Sequence, residues 1–89
     1  MKKVFKYRVS YQNVVCLQLP KGAQVIYFDA QNGMPYIWAL IDTEMLTDLE
    51  DRCFLLSFTG LAIEVDKPIS HVGSCQFQGD AWHLFEVKS

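Results

Sequence analysis

Gly33-Met34-Pro35-Tyr36-Ile37-Trp38-Ala39-Leu40-Ile41-Asp42 is the longest apolar run in the chain, bounded by turn-forming residues. Such a run reads as a strand buried on both faces, at the middle of a small sheet. Proline has no amide donor and suits the first residue of a strand, so the strand is expected to start after Pro35. Tyr36, Trp38 and Leu40 then share one face, and Ile37, Ala39 and Ile41 the other.

Working outward, Gln31-Asn32-Gly33 is the strongest local turn signal, because Asn-Gly adopts left-handed backbone cheaply. A strand over residues 23–30 precedes it. Another covers 14–19, ended by Pro20-Lys21-Gly22, and a hairpin between these two is expected. Residues 4–9 alternate, with Phe5, Tyr7 and Val9 on one face and Lys6 and Arg8 on the other, the pattern of a half-buried edge strand. Residues 10–13 read as a turn.

Beyond Asp42 the alternation stops. Residues 42–51 read as an acidic loop with room for one turn of helix, beginning at Asp42 or Thr43, and Thr47-Asp48-Leu49-Glu50 matches a capping box. Strands are expected over 52–59 and, after a turn or bulge at Gly60, over 61–65. Residues 72–77 and 81–87 form the last hairpin. A two-residue Gly79-Asp80 loop sets Phe77 opposite Trp82, Gln76 opposite His83 and Cys75 opposite Leu84, which separates Cys75 from His83. A three-residue loop would bring those two together. The expected fold is all-β, or β-rich α+β. It is one domain over 1–89, a small antiparallel barrel or sandwich of seven or eight short strands with at most one short helix. A strongly bent sheet packed on that helix is the runner-up.

Composition narrows the function. At 51% apolar and 20% charged the chain is globular, and a net charge of −2 gives no general attraction for polyanions, which argues against nucleic-acid binding. Charge is unevenly placed. Lys2, Lys3, Lys6, Arg8 and Lys21 make the first quarter basic, whereas Asp42, Glu44, Asp48, Glu50 and Asp51 form an acidic run. Such a dipole can drive self-association or meet an acidic partner. Cys16, Cys53 and Cys75 are an odd number with apolar neighbours, which reads as buried thiols in a reducing compartment. No apolar stretch suits export or a membrane span, so the expected location is cytoplasmic.

No motif assembles an active site. His71 and Cys75 are spaced as a ligand pair but lack a second pair, so neither a metal nor any other cofactor is implied. Neither a nucleophile elbow nor a phosphate-binding glycine loop occurs. Aromatic residues exceed what so short a chain hides easily. Phe5, Tyr7, Trp38, Trp82 and His83 are therefore the expected interaction surface, for a second copy or another protein. Binding of a small nucleotide or signal molecule in a pocket is the alternative.

Leu19-Pro20-Lys21-Gly22-Ala23, the segment 31–42, the Thr59-Gly60 that follows a phenylalanine-bearing strand, and Trp82-His83-Leu84-Phe85-Glu86 carry a likeness. The chain resembles a family of uncharacterised proteins of bacteriophages and prophages, over nearly its whole length. Where that family often has a histidine soon after the threonine-glycine, this chain has Leu61-Ala62. The resemblance implies a non-enzymatic accessory role in a bacterial host, such as binding a host protein.

Overall fold

A computed structural model describes residues 1–10 and 14–88. Its strands are β1 (Lys2–Arg8), β2 (Val14–Pro20), β3 (Gln24–Gln31), β4 (Met34–Asp42), β5 (Leu49–Phe58), β6 (Ile69–Phe77) and β7 (Asp80–Val87), with a 3₁₀ turn at Thr43–Met45. They form a three-stranded sheet, β1-β4-β3, and a four-stranded sheet, β2-β5-β7-β6, both antiparallel. The sheets do not close into a barrel, so the all-β fold is sandwich-like. Among the described residues no helix is long and apolar enough to cross a membrane.

The apolar run forms β4, the middle strand of its sheet. Pro35, Ile37, Ala39 and Ile41 are buried, while Tyr36, Trp38 and Leu40 are half-buried on the other side. Asn32 (φ 53°) and Gly33 (φ 76°) make the expected two-residue turn, with Gln31 opposite Met34. The strand begins one residue before Pro35, because Met34 already pairs across that turn. Phe28, Ile37, Ala39 and Ile41 from one sheet, with Val9 just past β1, meet Leu19, Phe54, Leu56, Phe77 and Leu84 from the other. Hiding a side chain such as Phe54 is worth about 1.5–3 kcal/mol.

Several sequence expectations are corrected. The turn after β2 exists, with Ala23 N donating to Pro20 O at 3.0 Å and Gly22 at φ 80°. It joins no hairpin, since β2 pairs with β5 and β3 with β4. A turn reverses the chain without choosing the strand's neighbour, and here it carries the chain from one sheet to the other. Residues 61–65 are not a strand. Leu61, Ala62, Glu64 and Val65 belong to a strap beside Val14, Leu55, Leu56 and Ser57, around a cavity of about 270 Å³. The Thr47–Glu50 capping box is unused, because β5 begins at Leu49. The 3₁₀ turn instead starts behind Asp42, whose carboxylate accepts from Glu44 N at 3.0 Å. That bond holds the Asp42 carboxyl below its ordinary pKa. Residues 11–13, most of the turn expected over 10–13, lie outside the described residues.

The last hairpin turns at Gln78 (φ 54°) and Gly79 (φ 82°). Phe77 therefore faces Asp80, Cys75 faces Trp82 and Ser74 faces His83. The expected register was two places away, so side-chain parity survives and Cys75 and His83 still point to opposite faces. Phe77 and Trp82 stack diagonally, with ring centroids 5.0 Å apart.

The expectation of free thiols fails for two of the three cysteines. Cys16 and Cys53 are directly opposite in the β2–β5 ladder and form a disulfide, whereas Cys75 is free. The sequence hid the bridge because it hid the partner of β2. Charge separation is also smaller than expected. Lys2 lies opposite Asp42, and the Met1 ammonium is 3.6 Å from the Asp42 carboxylate.

Candidate functional site

Two β-bulges decide what each sheet shows to solvent. In β3 the register shifts between Val25 and Tyr27, so Val25 faces Ala39 toward the core but Tyr27 faces Trp38 on the outside. Strict alternation back from the Asn32-Gly33 turn sets Tyr27 outward opposite Trp38 and would send Val25 outward with it; the extra residue, Ile26, turns Val25 to the core instead. Tyr27 and Trp38 lie 5.2 Å apart between centroids, and Tyr36 and Trp38 6.3 Å. From the neighbouring strand, Lys6 Nζ stands 4.6 Å above the Tyr36 ring and donates to Gln31 Oε1 at 2.9 Å. Arg8, opposite Tyr36, reaches Met34 Sδ at 3.9 Å. The outer face of the three-stranded sheet thus carries three aromatic rings beside two cations.

One acid joins that face. Tyr27 Oη donates to Asp29 Oδ2 at 2.7 Å, and Ala30 N donates to Asp29 Oδ1 at 2.8 Å. These bonds hold the Asp29 carboxyl below its ordinary value, and the bond to Asp29 holds the Tyr27 phenol above its own. Tyr27 is 53% exposed, so its ring is presented to solvent in a fixed orientation.

The second bulge lies in β6. His71 faces Phe85, Gly73 faces Leu84 and Ser74 faces His83, so Val72 is the extra residue. His71 and Ser74, three apart, share the outer face of the four-stranded sheet only because of it. A chain of polar contacts results. Thr59 Oγ1 is 2.9 Å from His83 Nε2, His83 Nδ1 is 2.8 Å from Ser74 Oγ, and Ser74 Oγ is 3.0 Å from His71 Nε2. His71 also stands edge-on to Phe85, with centroids 5.4 Å apart.

The five residues expected to form one surface do not meet. Phe5 and Tyr7 point inward and pack on the core, as does Trp82. Burial raises the Tyr7 phenol above its ordinary pKa. Trp38 lies on the outer face of one sheet, and His83 on the outer face of the other. Tyr27, Ser74 and His71 were missed as site members: alternation alone separates His71 from Ser74, whereas Tyr27 falls opposite Trp38 by counting back from the Asn32-Gly33 turn. Among the described residues no three of His, Cys, Asp or Glu converge as a metal cluster. Cys75 sits on the core side, where burial pushes its thiol up.

A family model described as a domain of unknown function, DUF7352, matches residues 1–89. The chain belongs to the DUF7352 family. No curated protein and no solved structure matches it. In this DUF7352 chain the threonine-glycine and tryptophan-histidine segments quoted above come together, through Thr59 and His83. Glu86, which closes the second of them, pairs with Arg52: Nη2 donates to Oε1 at 3.1 Å and Nε to Oε2, while Nη1 donates to Ala23 O at 2.7 Å. Those contacts tie the two sheets at one end of the sandwich and raise the Arg52 pKa, chiefly through the hydrogen bond to Glu86.

Proposed function

We propose that the protein is a non-enzymatic binding module that holds a protein partner on the outer face of its three-stranded sheet. One observation carries the reading: Tyr27, Trp38 and Tyr36 line up on that face with Lys6 and Arg8 beside them. Tyrosine, tryptophan and arginine are favoured interface anchors, combining large rigid area with a polar handle. Asp42 faces Lys2 at the end of that sheet, which leaves Lys6 and Arg8 against Asp29 beside the rings and favours an acidic segment of the partner. The likeness to phage and prophage proteins supplies the setting, an accessory role in a bacterial cytoplasm with a host factor as partner.

Self-association through the free edge of β1 is the weaker form of this reading. Lys2, Lys3, Lys6 and Arg8 crowd one seven-residue strand and would face their own copies, as lysines that protect sheet edges do. A small nucleotide or signal molecule stacked on Tyr27 and Trp38, its phosphate toward Lys6, is the second reading, and it uses the same rings.

The test is affinity capture from host extract with the parent, a Lys6→Glu/Arg8→Glu variant and Tyr27→Ala. A protein held by the parent and lost by both variants is expected, with sedimentation showing a monomer. Equal capture by all three overturns the assignment of this face. A nucleotide released from the parent alone moves the reading to the second alternative.

A further inference from the structure

We propose that His71 and His83 form a two-imidazole site for a divalent transition ion of the nickel, copper and zinc group, on the outer face of the four-stranded sheet. His71 Nε2 and His83 Nδ1, from two strands, aim at one atom, Ser74 Oγ, from 3.0 and 2.8 Å. The convergence is built by the β6 bulge, without which His71 and Ser74 would lie on opposite sides of the sheet. Thr59, His71 and Ser74 are exposed and His83 is half-buried on the outer face, so an ion can enter without opening the core.

Proton bookkeeping shows what the ion would replace. A neutral imidazole has one donor and one acceptor nitrogen, and a hydroxyl donates once. Thr59 Oγ1 has Ala81 O as its own acceptor at 3.5 Å, which leaves it to accept from His83 Nε2–H. His83 Nδ1 is then the lone pair, which accepts the Ser74 hydroxyl, and Ser74 Oγ accepts from His71 Nε2–H. An ion takes the lone pair that His83 Nδ1 already presents. It takes His71 Nε2 once that ring carries its proton on Nδ1, and Ser74 turns its hydroxyl aside. Thr59 keeps the hydrogen bond to Nε2–H that fixes the His83 tautomer.

Two imidazoles are fewer than the three or four ligands of a permanent structural zinc site, so water completes the shell and the ion exchanges. Nitrogen donors favour nickel, copper and zinc over magnesium and calcium. The site is separate from the aromatic face, and neither reading depends on the other.

The experiment titrates the folded full chain with NiCl₂ and with ZnCl₂ by calorimetry, while NMR follows the ring nitrogens of both histidines. Expected are one ion per chain, both rings shifting together, and no response to MgCl₂. These are the chain's only two histidines, so His71→Gln and His83→Gln test all of its imidazole. Chelation predicts that each single variant weakens binding about tenfold or more, since the second ligand acts at high effective concentration. Ser74→Ala keeps both rings and should bind as tightly as the parent or more so. The proposal is overturned if no heat appears at millimolar nickel, if the two rings titrate independently, or if a single variant keeps the parent affinity. The parent's ring spectra need no substitution and decide the question even where a variant misfolds.

Discussion

Opening the Cys16–Cys53 bridge should remove a large part of this small domain's stability. The two sulfurs sit on the outer side of the β2–β5 ladder and are separated by 37 residues in sequence. Cys16 is exposed and Cys53 half-buried, so breaking the bridge removes little packing. The main effect is then on the unfolded chain, which regains the freedom of a closed loop. For that separation the loop-entropy relation gives about 13 cal/mol/K, or about 3.8 kcal/mol at 25 °C. A chain of this length has an unfolding entropy of about 190 cal/mol/K, so Tm should fall by about 20 °C. Total stabilities for such chains run from about 4 to 13 kcal/mol, which makes the loss a sizeable share. The assay is thermal unfolding followed by circular dichroism on the oxidised chain, the chain reduced with a phosphine, and the Cys16→Ala/Cys53→Ala variant. Reduction and substitution should agree, and the denaturant slope should rise as the unfolded chain expands. A Tm change under about 5 °C, or three reactive thiols in unfolded chain without reductant, refutes the reasoning. The outcome also bears on the proposed cytoplasmic setting, where glutathione and thioredoxin keep such thiols reduced.

Other perturbations probe other joints of the fold. Arg52→Ala removes the hydrogen bonds to Glu86 and to Ala23 O together and should cost about 2–3 kcal/mol in chemical denaturation, whereas Glu86→Gln, which leaves Arg52 a neutral acceptor, should cost about half as much. Gly73→Ala places a Cβ 3.3 Å from Phe28 Cβ, an atom fixed by the backbone of β3, and should destabilise by about 1–2 kcal/mol, with Gly73→Val worse, both read by urea midpoints. Asp29 titrates below its ordinary value, so its contribution to stability is full above the unfolded-state pKa and fades as pH falls through the folded one. Tyr27→Phe removes the largest cause, so carboxyl NMR should show the Asp29 pKa rising, and the acid loss of stability should become smaller and be complete at a higher pH.

Period-two alternation made most strands legible, because a half-buried strand must put every second side chain in the core. Met34–Asp42 was readable as a central strand for the same reason, as both of its sides carry apolar residues. Alternation does not choose partners, however. The Pro20–Ala23 turn looks like any hairpin turn, and only packing of the inner faces decides that β2 joins β5. The disulfide went unseen with that choice. Residues 61–65 alternate as a strand would, yet they form a strap, because alternation supplies no neighbouring backbone to pair with.

The histidine cluster was hidden by a more specific mechanism. Parity is conserved along a strand until one residue is added, and then every later side chain changes sides. Ile26 and Val72 are those added residues: counted from the hairpin turns, Tyr27 meets Trp38 and Ser74 meets His83 before either bulge, and beyond the bulges Val25 turns to the core and His71 to the outer face. The two bulged strands also face each other between the sheets, where the Gly73 position lies against Phe28. A bulge bends the strand that carries it and increases its local twist. The same two residues therefore set surface chemistry as well: one returns Val25 to the core behind an outward Tyr27, and the other puts both imidazoles on one outer face. Deleting Ile26 or Val72 would leave Tyr27 opposite Trp38 and His71 opposite Phe85 in an unbroken ladder, removing the local bend while keeping both side chains on their outer faces. Shape and surface chemistry are in this sense one feature of the chain.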